Sequence, residues 1–301
     1  MSEQPAIDLT ARGRSKRRLW MNKAFEGSAV VAAGLAILVL GIVVWSVASR
    51  GAGALTVDFF TKGPALFGES GGGIAPALVG TLMLVVIAIL FALPIGVLTA
   101  IYCSEFAPPG INRQIRLWLD VLNGFPSIVI GIFVFTLLVK TTFLGFGGRQ
   151  SAFAGGFALS IIMLPLVARS TMEVLSLVPN SLREASYALG VSKWQTVLRV
   201  VLPTSLGGLL TGSTLAVARA AGETAPLLFT CALAGTIVDW NPTHSVQSIP
   251  LTIFQYSESA DPNLHQQAWA AALVLILFVL ITSLTARLLL ERQRRKLGLS
   301  Q

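Results

Sequence analysis

The sequence predicts an all-α integral membrane protein with six transmembrane helices. Hydrophobic residues make up 54% of the 301-residue chain and charged residues only 12%, and the mean hydropathy is +0.74. This composition is far more apolar than that of a soluble domain. Uncharged stretches of roughly 20 residues, the length that crosses a bilayer, recur along the chain. A large soluble helical protein is therefore excluded.

Six uncharged runs locate the predicted helices. They cover residues 28–49, part of 74–103, 121–139, 151–168, a run that begins after Pro203, and 268–286. The first run follows a basic segment, as a signal peptide would. Its 23 uncharged residues, Gly27–Ser49, exceed the roughly 7–15 residues of a signal-peptide core, so we expect a retained helix.

The basic residues predict the orientation, because Lys and Arg concentrate on the cytoplasmic side of membrane proteins. Of the 22 Lys and Arg residues, 17 lie in residues 1–27, 104–120, 169–199 and 287–301, which six spans place on one side. Both termini are therefore predicted to be cytoplasmic. The basic residues lie at the ends of apolar runs and are not interleaved with aromatic residues, so the net charge of +8 does not indicate a nucleic-acid partner.

The runs also predict how the chain is organised. We expect a cytoplasmic tail (1–27), a peripheral first helix (28–49), a periplasmic segment (50–73), a five-helix core (74–290) with a cytoplasmic loop at about 178–203, and a C-terminal tail (291–301). Cys103 and Cys231 fall toward opposite membrane faces, so we interpret both as packing residues and not as a disulfide.

Residues 178–203, between the fourth and fifth runs, form neither a span nor a simple turn. Four apolar residues recur there at three- and four-residue intervals, on one face of a short helix: Leu182, Ala185, Ala188 and Leu189. Gly190 would permit a sharp turn into a second helix. By pattern alone, a helix that merely anchors this loop at the membrane surface is equally compatible.

The spacing in this loop resembles the EAA loop of ABC importer permeases. Glu184-Ala185 is followed by Gly190 and, after nine residues, by Val200-x-Leu202-Pro203; Ser186 replaces the usual second Ala and Val200 the usual Ile. The resemblance implies that the loop docks on an ATPase subunit, with Glu184, Ala185, Gly190 and Pro203 as coupling residues. The sequence has no G-x-x-x-x-G-K-[ST] phosphate loop. We therefore expect no enzyme activity and no cofactor in this chain, with ATP and Mg²⁺ bound by the ATPase.

Arg219 and Glu223 are the charged residues of the otherwise apolar run from Val200 to Val238. Ionisable groups at bilayer depth are costly and usually face a cavity or a partner along a transport path. A spacing of four places both on one helix face, which is also compatible with a purely structural, mutually neutralising pair. Because the guanidinium fork of Arg can bind two phosphate oxygens at once, Arg219 favours an oxyanion substrate.

Three segments resemble the PstA-type permeases of bacterial phosphate importers, in the binding-protein-dependent transport permease family. They are NGFPSIVIG (Asn123–Gly131), LPLVARSTMEVLSLVPNSLREASYALG (Leu164–Gly190) and ARAAGETAPLLFT (Ala218–Thr230). The resemblance covers about residues 70–290 and implies a type I, MetI-like permease core in the inner membrane. It also implies that Arg219 and Glu223 line the phosphate path, with Ser127 and Thr224 nearby. The implied partners are a PstC-type permease, a PstB-type ATPase dimer and a PstS-type periplasmic phosphate-binding protein.

Other functions remain compatible with these features. One is a permease of the same architecture for molybdate or sulfate, or the sister permease of the phosphate system, although the GETAPLLF run favours phosphate and this subunit. Another is a secondary anion transporter that uses Arg219 and Glu223 as ion-coupling groups, for which inverted repeats would be expected and none is found. A third is a structural or signalling membrane subunit that senses phosphate supply.

Overall fold

Long runs of Leu, Ile, Val and Ala form continuous helices in the computed structural model, because in a bilayer the backbone must satisfy its own hydrogen bonds. The structure describes residues 14–64, 71–141, 149–231 and 237–296. The helices in these ranges are α1 (Arg14–Gly51), α2 (Val57–Thr61), α3 (Ala75–Ile101), α4 (Pro109–Gly124), α5 (Ser127–Val134), α6 (Ala152–Ser176), α7 (Asn180–Ala188), α8 (Lys193–Thr196), α9 (Leu202–Ala221), α10 (Leu227–Thr230), α11 (Ile249–Ser257) and α12 (Pro262–Lys296).

Short segments of other helical geometry extend some of these helices. A 3₁₀ turn follows α1 at Ala52–Ala54, and π-helical turns continue α3 (Tyr102–Phe106), α5 (Phe135–Val139) and α8 (Val197–Val201). The described residues contain no β-strand. The all-α class is therefore confirmed.

Five helical segments of the described chain are long and apolar enough to cross a membrane. They are Trp20–Ala54, Ala75–Phe106, Ala152–Ser176, Lys193–Ala221 and Pro262–Thr285. The pair Pro109–Gly124 and Ser127–Val139 also passes when it is taken as one span, although it is bent by 96°. Counted in that way, the number of candidate spans is six, as predicted.

The third span differs from the continuous helix predicted at residues 121–139. The helix is interrupted at Phe125 and Pro126, between α4 and α5. Phe125 has extended backbone, with φ −67° and ψ 136°, because a residue that precedes proline is disfavoured in the helical region and proline itself offers no N–H. Helix α4 therefore lies nearly perpendicular to the helical segment Ser127–Val139.

Several helices are longer than the uncharged runs that predicted them. Helix α1 begins at Arg14, inside the predicted tail 1–27, and α12 extends from Pro262 to Lys296, beyond both ends of 268–286. The added residues are mostly good helix formers, so the helix continues past the apolar boundary. At the start of α12, the Asp261 carboxylate accepts the Asn263 N–H at 2.8 Å, and Pro262 occupies the first turn, where a missing N–H costs nothing.

The fifth span also begins earlier than predicted. The helical segment runs without a break over Lys193–Ala221, so Pro203 lies inside it and does not precede it. The π-helical turn at Val197–Val201 ends two residues before Pro203. A wider turn of this kind accommodates a proline that cannot donate to the preceding turn.

The chain divides into two units, Met1–Ser49 and Arg50–Gln301. In the first unit, the large apolar side chains of α1 are exposed along nearly its whole length, including Val31, Leu35, Ile37 and Leu40. So much exposed apolar surface is stable in lipid or against another membrane protein.

In the second unit, α3, α6 and α9 pack closely because glycines replace bulky side chains at their contacts. A Cβ atom on Gly96 would lie 2.9 Å from Val167, and one on Gly208 would lie 2.5 Å from Val174. Small residues at such positions are typical of membrane helices in van der Waals contact. We call the end of this bundle where α3 and α6 finish and α7 lies the α7 end, and the other end the opposite end.

Candidate translocation site and coupling segment

Arg219 and Glu223 form an ion pair where α9 stops. Arg219 lies in the last turn of α9, and the break after Gly222 places Glu223 in the connection to α10. The Arg219 Nε lies 3.4 Å from Glu223 Oε1. The predicted pairing is therefore present, although Glu223 is outside the helix because Gly222 and Pro226 do not favour its continuation.

The pair leaves most of the guanidinium available. The Arg219 side chain is 50% exposed and that of Glu223 is 18% exposed, and among the described residues only Glu223 bonds to the Arg219 guanidinium. Within the described residues, the terminal nitrogens therefore keep free N–H donors, and their planar fork suits a tetrahedral oxyanion. An Arg so exposed near a membrane is costly in lipid and is expected to face a polar path or a partner.

The connection that carries Glu223 is held by its neighbours on both sides. Gly131 of α5 lies so close to Pro226 that a Cβ there would be 2.6 Å from the Pro226 Cα. At the other end of α10, the Thr230 carbonyl accepts the Ser151 N–H at 3.0 Å. Two of the three segments singled out in the sequence, NGFPSIVIG and ARAAGETAPLLFT, therefore meet at Gly131 and Pro226.

Thr224 and Ser127 remain weaker candidates. Thr224 follows Glu223, and its carbonyl accepts the N–H groups of Leu227 and Leu228 at the start of α10. Ser127 is half-buried at the start of α5, one turn before Gly131. In the described part of the chain, no hydrogen bond joins either hydroxyl to Arg219 or Glu223.

An ordered connection caps α6 at the opposite end, beside α10. The carbonyls of His244 and Pro242 accept the N–H groups of Ala152 and Phe153, both at 2.9 Å. The Asp239 carboxylate accepts the Asn241 N–H at 2.8 Å and lies 2.6 Å from His244 Nδ1. The Asn241 N–H and then the His244 ring lower the pKa of Asp239. The carboxylate thus helps to order this connection.

The predicted turn at Gly190 is confirmed. Helix α7 ends at Ala188, and α8 begins at Lys193. Gly190 has φ +75°, a left-handed conformation that costs other residues energy. A Cβ there would meet nothing within 4 Å, so the backbone conformation, and not lack of space, favours glycine.

Helix α7 presents its apolar side chains away from its own chain. Leu189 is 83% exposed and Leu182 is 41% exposed, and Glu184 and Ala185 are exposed beside them. The buried residue of α7 is Ser186, whose hydroxyl lies 2.9 Å from the buried Thr196 hydroxyl. A polar contact therefore holds α7 against α8, while the exposed face of α7 presents apolar and small residues that another molecule could contact.

One contact of α7 was not predicted from the sequence. Arg183 of α7 pairs with the buried Glu105 after α3 at 2.9 Å. The sequence offered one sign of this contact: Glu105 is an acidic residue just after the second apolar run, 74–103.

Two solved structures have the same fold. An inward-facing conformation of the MetNI methionine ABC transporter has a TM-score of 0.57 and 18% identity, covering 73% of this chain and 94% of that one. A bacterial ABC transporter involved in the import of the acidic polysaccharide alginate has a TM-score of 0.63 and 14% identity, covering 92% and 96%. The fold is that of an ABC importer permease, as predicted.

The sequence comparisons identify the family. The model described as "Binding-protein-dependent transport system inner membrane component" matches residues 92–295. The phosphate transport system permease protein PstA of Haemophilus influenzae is 37% identical over 274 residues, covering 91% of this chain and 95% of the relative. PstA 1 of Mycobacterium tuberculosis is 38% identical over 306 residues, covering 99% and 97%. The chain belongs to this family of multi-pass inner-membrane permeases, and within it to the PstA type.

Proposed function

We propose that this chain is a transmembrane subunit of an ATP-driven importer of inorganic phosphate. The observation that carries the proposal is the half-exposed Arg219 fork, which Glu223 orients and which keeps free donors. Its chemistry suits the substrate that the PstA relatives are named for. Thr224 and Ser127 are further candidates for the wall of the same path.

The α7 end faces the cytoplasm in this proposal, and both termini lie there. The exposed face of α7 docks on a PstB-type ATPase, which binds ATP and Mg²⁺, with Glu184, Ala185 and Gly190 at the contact. Pairing with a PstC-type permease covers the faces of the bundle that this chain leaves exposed. A PstS-type binding protein delivers phosphate at the opposite end.

A single helical segment connects the two sites. Lys193–Ala221 has 29 residues, which at 1.5 Å per residue is about 43 Å. It begins at the turn after α7, contains Pro203, and ends at Ala221, two residues after Arg219. Displacement of α7 when the ATPase dimer closes is thereby conveyed to the Arg219 region. Import follows if the two resulting arrangements bind phosphate with different affinities.

Direct labelling tests the orientation. In a variant with Cys103→Ala and Cys231→Ala, single cysteines are placed at Ser192 or Thr243, which are both exposed and lie near α8 and in the connection at the opposite end. A membrane-impermeant thiol reagent applied from outside is expected to label Thr243→Cys and not Ser192→Cys. Labelling of Ser192→Cys alone would invert the orientation, and labelling of both would contradict the span count between them.

Uptake measurements in a strain that lacks this chain test the function itself. Restoring the chain should restore uptake of labelled phosphate, with excess sulfate or molybdate competing weakly. Removal of the ATPase subunit should abolish that uptake. Uptake that survives this removal would favour a secondary transporter, and strong competition by molybdate or sulfate would favour a different oxyanion.

A further inference from the structure

Glu105 is a buried carboxylate that the proposed path and docking surface do not use. Its side chain is 5% exposed, and that of its partner Arg183 is 15% exposed. Glu105 lies in the π-helical turn Tyr102–Phe106 that ends α3. Turns of this kind are rare within α-helices and frequently occur at functional sites.

The Arg183 guanidinium connects three elements at the α7 end. Its Nη2 donates to Glu105 Oε1 at 2.9 Å and to the Leu175 carbonyl of α6 at 3.0 Å, and its Nη1 donates to the Val178 carbonyl at 2.6 Å. A planar fork can satisfy several acceptors at once, which an ammonium group does less well. Helix α7 is therefore tied both to the end of α6 and to the turn after α3.

The same π-helical turn also holds the start of α8. The Lys193 Nζ lies 5.2 Å from the centroid of the Phe106 ring, and the Trp194 ring centroid lies 6.3 Å from that ring. The hydrogen bond between Ser186 and Thr196 joins α7 to α8. The π-helical turn after α3 thus contacts both helices of the segment 178–203. It contacts α7 through Arg183 and α8 through Phe106.

We propose that Glu105 and Arg183 are a positioning pair that transmits displacement of α7 to α3. This inference rests on the proposed docking of α7 on an ATPase. Separating the pair would leave a buried charge without its partner, which is strongly unfavourable, so α7 and the end of α3 move together. Helix α3 and its π-turn continue over Ala75–Phe106 to the opposite end. There Thr81 Oγ1 accepts the Ile249 N–H at 2.8 Å.

Helix α7 therefore acts on two long helical segments. One is Lys193–Ala221, which carries Arg219 in its last turn. The other is Ala75–Phe106, which reaches the start of α11 at the opposite end. Coordinated movement of both segments would change the region of Arg219 and the start of α11 in the same step.

The test uses the complete importer in proteoliposomes, with phosphate transport and ATP hydrolysis measured together. Glu105→Gln keeps the side-chain shape and removes the charge. The expected result is a fall of about tenfold or more in phosphate moved per ATP hydrolysed, since a buried pair is broken. The ATPase should still copurify at the wild-type level. Arg183→Gln removes this pair and also the bonds to the Leu175 and Val178 carbonyls, so its loss should be at least as large. The double variant should lose no more than Arg183→Gln alone, because the pair is already absent there.

Arg113→Gln is the matched control. Arg113 is an exposed cation of α4, lies outside residues 178–203 and has no ion pair within the described residues, so the ratio of phosphate to ATP should not change. A normal ratio in Glu105→Gln would overturn the inference, as would a loss explained entirely by missing protein or lost ATPase. A parallel Gly190→Glu complex separates the two proposals: a normal ratio there would contradict the docking of α7 itself.

Discussion

Replacement of Arg219 by Ala is expected to reduce phosphate uptake by about 10- to 100-fold or more, to near background. Charge-assisted hydrogen bonds contribute about 1.5–3 kcal/mol, and Ala removes those that Arg219 would donate to the anion. The side chain is half-exposed and bonds only to Glu223 among the described residues. The protein should therefore still insert and assemble. Labelled phosphate uptake, normalised to the amount of complex in the membrane, measures the effect.

Two further variants make the Arg219 result specific. Arg219→Lys should recover uptake only in part, because an ammonium group lacks the paired donors of the guanidinium fork. Arg113→Ala removes an exposed Arg of α4 and should leave uptake unchanged. Near-normal uptake by the Arg219→Ala complex would show that the anion path lies elsewhere.

Gly190→Glu is expected to uncouple ATP hydrolysis from transport. With φ at +75°, a residue other than glycine costs roughly 1–2 kcal/mol. Such a cost changes an equilibrium by a factor of about 5–30. The turn would shift to relieve that strain and displace α7 from its docking position. The measured quantity is phosphate transported per ATP hydrolysed, which should fall by about the same factor while hydrolysis continues.

Gly190→Asn provides the control for conformation. Asn adopts the left-handed region more readily than most residues, and the space around Gly190 is open. This variant should therefore couple nearly as well as the wild type. If Gly190→Glu coupled normally, the segment 178–203 would not be the ATPase contact; equal loss in both variants would mean that the side chain, and not the backbone, disturbs docking.

The sequence by itself determined the features that depend on neighbouring residues. Hydropathy along the chain predicts the membrane class and the apolar runs, since any helix that crosses a bilayer needs such a run. The four-residue spacing of Arg219 and Glu223 indicated that they lie close together, although Glu223 follows the end of α9. Gly190 was predictable as a turn because glycine adopts positive φ without a steric cost. The break at Pro126 was equally local, but the predicted helix at 121–139 overlooked it.

Only the tertiary structure decided which distant residues meet and which surfaces stay open. Glu105 and Arg183 are 78 positions apart, and Gly131 meets Pro226 from another helix. The amphipathic pattern of α7 could not distinguish a face buried in the chain from one left for a partner. The structure leaves Leu189 exposed and buries Ser186. Periodicity reports which residues share a helix face, whereas the packing of other helices decides what that face contacts.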